Sequence, residues 1–557
     1  MPRPLAITIL AALLLALGAG PASALTIQAE KAAVHTVGGM QKGAWSIWSN
    51  GEVGDYVRFE KGGTYEIVAR AFGSPAGGGW PLMSVRIDGE ALAQATVDKA
   101  EAAEYPFKVR IEPGTHLVTI GFENDLVVGK EDRNLYLVQI EVRPTEGLPE
   151  PAAADRKELD AMQEKEEAAA VAATRQAIEK NRRSALTVRV VDRDGRAVPG
   201  ASVTAEQTAS DFLFGCNIYM FDRFGKPEQN AAYQKRFEEL FNYATVGFYW
   251  TSYETERGKP QYPYTDKVVA WCEARGIRMK GHPLLWADPQ GGVPPWSKGQ
   301  PSADLQKQRV FDILGRYKDK ITFWEVVNEA CHNAGVKIDD PYRWAREADP
   351  KGHLIVNEYY VMADGYPAFY QFLEGAKARG VPFDGIGIQA HEPRTDRFPL
   401  GRVQKVLDRY AALGKTVSIT EFTPCSGGDA ITGSHVQGKW DEAAQADYAE
   451  KFYRVCFAHP AVIAVTWWDL ADAGAWLKGG GLLRDDLSPK PAYEALRRLV
   501  REEWHTHAEG KTDATGALAL RGFHGQYRLT AVAGDRKAEA TFHLAKDGPG
   551  EVVIKMP

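Results

Sequence analysis

Residues 322–330 read TFWEVVNEA, an apolar strand that ends by delivering Asn328 and Glu329 side by side. A carboxylate on a buried strand is costly unless it has partners or chemistry to perform. The same design recurs on both sides of this stretch. Across residues 210–504 the strand candidates FLFGCN, YATVGF, RMKGHPLLW, ITFWEVVNE, LIVNEYY, GIGIQAH, TVSITEF and VIAVTWWDL alternate with amphipathic helices. Eight strand–helix units over that length predict a (β/α)8 barrel. A doubly wound sheet is the alternative, but no Gly-rich phosphate turn follows any of these strands.

The C-terminal strand ends of such a barrel share one mouth, so polar residues there are catalytic candidates. The third strand supplies His282 and Trp286, the fourth Asn328 and Glu329, and the fifth Asn357 and Glu358. Gln389 and His391 end the sixth, Glu421 the seventh, and Trp468 and Asp469 the eighth. Glu329 and Glu421 are 92 residues apart, which at about 31 residues per unit is three units, so they can face each other across the mouth. Two carboxylates flanking a sugar-sized slot are the machinery of glycoside hydrolysis.

Seven stretches then stand in one order: GHPLLW, WEVVNEA, VNEYY, GIGIQAH, ITEF, TWWDLADAGAWL and LSPKPAYEAL. In this the region resembles glycoside hydrolase family 10, the β-1,4-xylanases. The resemblance implies a retaining mechanism with Glu329 as general acid/base and Glu421 as nucleophile. It further implies that Asn328 holds the sugar 2-hydroxyl and that Gln389 and His391 position the acid/base and the nucleophile. His282 and Trp286 would line the glycone side, and Trp468 and Trp476 would wall pyranose faces. No cofactor is expected for catalysis. Like charges at close range predict a raised pKa for Glu329 while Glu421 is ionised.

The second strand departs from the family. TVGFYWTSYETERG keeps Trp250, but Gly247, Phe248 and Tyr249 stand where polar sugar ligands are expected, and Ala287 replaces a second His after strand three. Altered glycone subsites are therefore expected, with Phe248 and Tyr249 available to stack on a different or substituted sugar. Structural roles are expected for Glu325 as an ion-pair partner, Asp469 and Asp472 as braces of the last loop, and Cys331, Cys425 and Trp467 as packing.

Residues 1–24 combine one Arg, a short apolar run, and small residues at Ala22 and Ala24, the pattern of a secretory signal. Residues 25–145 alternate with period two between Gly-rich turns and predict a β-sandwich. Its GWP around Trp80 and the stretch ENDLVVGKEDRNLYLVQIEV resemble calcium-dependent xylan-binding modules. The resemblance implies Asp125, Asp132 and Asn134 as oxygen ligands of calcium, with Glu30 serving a second, structural ion; the alternative for the Asp and Asn residues is an ordinary turn. Residues 146–184 are rich in Ala, Glu, Lys and Arg with a thin apolar stripe, and are expected as an exposed helical spacer or a disordered linker. Strand pairs at 185–209 and 510–557 predict one small sandwich, of loose transthyretin-like resemblance, split by insertion of the barrel.

A net charge of −6 and a pI near 6.1 supply no basic surface for phosphate backbones, so nucleic acid is not expected as a partner. Five cysteines exclude a disulfide scaffold. The expected protein is a secreted monomer acting on a xylan-like polysaccharide, off the membrane once the signal is removed. The competing expectations are a glycan-binding protein with a non-productive barrel and a retaining glycosidase of another β-linked polysaccharide.

Overall fold

The computed structural model describes residues 24–128, 130–333, 335–364, 368–391 and 396–557. The expected leader therefore falls almost wholly outside the described residues. The described residues form two compact units, divided between Asp155 and Arg156.

The first unit is a sandwich of two six-stranded, chiefly antiparallel sheets. Gly63–Ser74 pairs with Asn134–Pro144 at the centre of one, and Gly51–Phe59 with Gly114–Phe122 in the other. Alternation sends Ile67, Ala69, Leu135 and Leu137 of the first, and Val53, Val57, Val118 and Ile120 of the second, into one shared core. Pairing continues past residue 145, where Ala152–Ala153 adds to the Gly51–Phe59 strand.

In the second unit, eight parallel strands close into a barrel: β1 (Leu213–Asn217), β2 (Tyr243–Gly247), β3 (Arg278–His282), β4 (Phe323–Asn328), β5 (His353–Glu358), β6 (Gly385–Ile388), β7 (Thr416–Phe422) and β8 (Val462–Trp467). Closure runs through β3 and β4, with Lys280 opposite Phe323. The short strand Leu285–Trp286 continues the third strand beside Val327 and Asn328. The barrel is inserted in a seven-stranded sandwich. Ala517–Phe523, Arg183–Val191 and Glu551–Lys555 form one sheet. His507–Lys511, Ser202–Ser210, Gly525–Ala533 and Arg536–Leu544 form the other.

The expected exposed spacer is corrected by helix α1 (Arg156–Asn181), which packs on the barrel helices α2 (Leu400–Ala411) and α3 (Glu442–Ala458). Its buried side chains are Glu167, Ala170, Thr174 and Ile178. Three are small or polar, which lets the helices approach closely and explains why the apolar stripe is thin. Glu167 is neutralised by Arg397, which donates to both of its oxygens at 2.7 and 2.6 Å. At the helix end, Arg182 donates to the carbonyls of Phe457, His459 and Val462.

Candidate active site

Pairing of β4 with β5 slips between Glu325 and Asn328, and Glu329 adopts a left-handed φ of 54°. That conformation is unfavourable for a residue with a Cβ, but it breaks the two-residue alternation. Asn328 and Glu329 therefore both line a mouth cavity of about 710 Å3, together with His282, Trp286, Gln389, His391, Glu421, Trp468 and Trp476.

The two carboxylates have opposite surroundings. Glu329 accepts from neutral donors: Gln389 Nε2 at 2.9 Å on Oε1, and Trp286 Nε1 at 2.9 Å and Asn333 Nδ2 at 3.0 Å on Oε2. Burial raises its pKa, the Gln389 hydrogen bond opposes this, and the charges of Glu421 and Glu358 add to the rise. Glu421 accepts from Asn357 Nδ2 at 2.8 Å on Oε1 and pairs through Oε2 with His391 Nε2 at 2.8 Å. Burial pushes its pKa up, but the His391 hydrogen bond with the charges of His282, His391 and Lys280 outweighs burial and holds it below the usual carboxylate range. The arrangement can therefore present one protonated and one ionised carboxyl group to a ligand in the same cavity.

Asn357, placed by the sequence only at a strand end, links the two halves of the site. Its Nδ2 donates to Asn328 Oδ1 at 3.0 Å as well as to Glu421, while Thr420 Oγ1 donates to its Oδ1 at 2.6 Å. Glu358 is fully buried and accepts from the backbone N–H groups of Cys331 and His332, tying down the turn after Glu329. Asn333 lies one turn past Glu329, its own N–H bonded to the Glu329 carbonyl at 2.7 Å; no sequence signal marks it.

Beneath the mouth, Glu325 binds both Lys280 Nζ and His282 Nδ1, and all three side chains are buried. Asp469 accepts from Asn217 Nδ2 and the Trp476 N–H, each at 3.0 Å, and Asp472 accepts from Lys490 Nζ at 2.8 Å, so both brace the last loop. Trp476 is 60% exposed and meets the His391 ring at 4.8 Å. None of the five cysteines is in a disulfide. The expectation that Phe248 stacks on sugar is overturned, because it is buried among Tyr253, Tyr317 and Trp324, whereas Tyr249 faces the cavity.

In the first unit, Asp125 and Asn134 each hold a buried Oδ1 with no hydrogen-bond partner among the described residues. Asn134 Nδ2 donates to Asp132 Oδ2 at 2.9 Å. Burial, with the charge of Asp132, pushes the Asp125 carboxyl up to about 6. Buried oxygens without donors, beside a second carboxylate, suit a hard cation such as calcium. Glu30 is exposed in the turn Ala29–Lys31.

Residues 66–155 match the model of a Ca-dependent, xylan-binding carbohydrate-binding module. Among curated proteins, the chain is 28% identical over 394 residues to anti-sigma-I factor RsgI6 of Acetivibrio thermocellus, covering 68% of this chain and 49% of that protein. It is 27% identical over 385 residues to endo-1,4-beta-xylanase 2 of Arabidopsis thaliana, covering 65% and 34%. It thus spans half or less of these relatives' length. A crystal structure of native xylanase 10B from Thermotoga maritima aligns at 24% identity and a TM-score of 0.44, over 53% of this chain and 96% of that one. Residues 205–499, more than half of the sequence, match the model of glycosyl hydrolase family 10, and the chain belongs to that family.

Proposed function

We propose that the protein is a secreted, monomeric, retaining endo-β-1,4-xylanase that cleaves xylan or decorated xylan by double displacement. The observation that carries this reading is the split between the carboxyl groups: Glu329 is held toward its protonated form and Glu421 toward its charged form. Glu329 gives its proton to the leaving glycosidic oxygen while Glu421 attacks the anomeric carbon, forming a glycosyl-enzyme. Esterification removes the Glu421 charge, which is one of the groups raising Glu329. The pKa of Glu329 then falls, and it takes a proton from the water that releases the sugar. Asn328 is held by Asn357 to meet the 2-hydroxyl, a contact that strengthens as the ring flattens.

Asp125, Asp132 and Asn134 would hold the calcium of the binding module. That ion would supply a positive centre for sugar hydroxyls, anchoring the polymer. The deciding experiment is reducing-sugar release from a panel of plant and algal polysaccharides by the mature protein and its Glu421→Ala variant. Release on xylans that vanishes in the variant supports the proposal. Release only on another polymer would replace the substrate, and binding without release would favour a glycan-binding protein.

A further inference from the structure

Where family resemblance calls for polar sugar ligands after the second strand, the structure places two phenols. Tyr219, from the loop after β1, covers Gly247 so closely that a Cβ there would lie 3.0 Å from its ring. Its ring centroid is 5.8 Å from that of Tyr249 and 5.6 Å from that of Trp468. Tyr249 Oη is hydrogen-bonded to His282 Nε2 at 3.0 Å, and His282 Nδ1 is bound to Glu325. Both ring nitrogens of His282 are thus engaged within the protein, and Tyr249 lines the cavity beside that ring. The Tyr219 hydroxyl is buried with Tyr249 as its polar neighbour, and among the described residues it has no hydrogen bond of good geometry. A buried hydroxyl left unmatched is costly and marks a place for a ligand group.

We propose that Tyr219 and Tyr249 act as a donor–acceptor pair that grips a ring hydroxyl of the sugar being cleaved, taking over recognition from His282 and from the absent second-strand ligands. Whichever way the proton lies between Tyr249 Oη and His282 Nε2, the two phenols together keep at least one O–H and one lone pair for a ligand. A sugar hydroxyl both donates and accepts, so it satisfies the two phenols together. Burial, with nearby Tyr249 and Glu421, keeps the Tyr219 pKa well above its usual value, so the donor stays protonated. With Asn328 assigned to the 2-hydroxyl, the neighbouring 3-hydroxyl is the group left for the phenols.

This inference rests on the retaining xylanase reading, and the two fail separately. Trapping with 2,4-dinitrophenyl 2-deoxy-2-fluoro-β-xyloside, read by mass spectrometry at Glu421, tests the mechanism; absence of the adduct sinks that reading alone. The phenols are tested with Tyr219→Phe and Tyr249→Phe on 4-nitrophenyl β-xyloside and its 3-deoxy analogue. If xylosides are not turned over, the same comparison uses the aryl β-glycoside that is. Each variant is expected to lose about tenfold in kcat/KM on the parent substrate and nothing on the 3-deoxy analogue, with an unchanged thermal midpoint for Tyr219→Phe. The double variant should lose less than the product of the two, because both phenols serve one hydroxyl. Equal losses on both substrates, or no loss on either, would overturn the pair.

Discussion

Glu167→Ala would leave the buried Arg397 charge beneath helix α1 with Asp447, 3.9 Å away and half exposed, as its remaining counter-charge. Arg397 is 1% exposed and donates to both Glu167 oxygens. Breaking a buried pair from one side costs about 3–5 kcal/mol, because the surviving charge is left uncompensated. Lys451 Nζ lies 3.8 Å from Glu167, but it is a third exposed and already holds Asp447 at 2.8 Å, so it adds little to the loss. We therefore expect about 3–4 kcal/mol. Unfolding entropy of about 2.1 cal/mol/K per residue, over the roughly 400 residues of the second unit, gives about 0.8 kcal/mol/K and a fall in the calorimetric midpoint of about 4–5 °C. Arg397→Met should cost less than Glu167→Ala, because Lys451 can still neutralise Glu167. The double variant Glu167→Met/Arg397→Met should return close to the parent midpoint. The pH dependence has a definite sign. Burial pushes the Glu167 carboxyl up, but Arg397 and Lys451 more than offset this and hold it below its ordinary 4.5. The contribution is therefore full above about pH 4.5 and is lost as pH falls through the depressed folded value, so parent and variant midpoints should converge in acid. An unchanged midpoint in Glu167→Ala at neutral pH, or a double variant no better than the single, would refute the argument.

Glu329→Gln should lower kcat on xylan about 100- to 10,000-fold, with a much smaller loss on an aryl xyloside whose leaving group needs no proton, as measured by initial rates. Gln389→Leu removes a hydrogen bond that lowers the Glu329 pKa. The alkaline limb of kcat/KM, where activity is lost as pH rises through that pKa, should move to higher pH in a full pH profile. Asp125→Ala, or chelation with EDTA, should abolish retardation of the full chain in xylan affinity gels while leaving aryl xyloside hydrolysis unchanged. Because Asp125 titrates at about 6 and must be ionised to bind a cation, retardation in limiting calcium should weaken below that pH.

The barrel was legible because its strands are buried on both faces and read as apolar runs that turn polar only at their C-terminal ends. That signal led to Asn328, Glu329, Gln389, His391 and Glu421, which the structure gathers in one cavity. It failed where buried positions are not apolar ones. The inward face of α1 carries Ala170, Thr174 and an ion-paired Glu167, so its composition resembles that of an exposed helix. It failed again where neighbours in sequence diverge in space: Phe248 enters the core while Tyr249 enters the mouth. Tyr219 carried no signal, since the ring fills a gap left by Gly247 on the next strand. In the first unit, Asp125, Asp132 and Asn134 were readable as a group of oxygen donors, and Asn134 is hydrogen-bonded to Asp132, whose charge also acts on Asp125.

The charge layer under the mouth explains how one cavity keeps two chemically identical side chains in different states. Among the described residues Glu329 has neutral donors on its oxygens, so burial and nearby carboxylates dominate and its pKa is raised. Glu421 is buried more deeply, which alone would raise its pKa further, yet it faces His391 directly and the charges of His282 and Lys280 below. Lys280 and His282 are held in place by Glu325. Removing Glu325 would take away the carboxylate that holds Lys280 and His282 in place beside Glu421. Residues that touch no substrate thus set the difference on which the proposed chemistry depends.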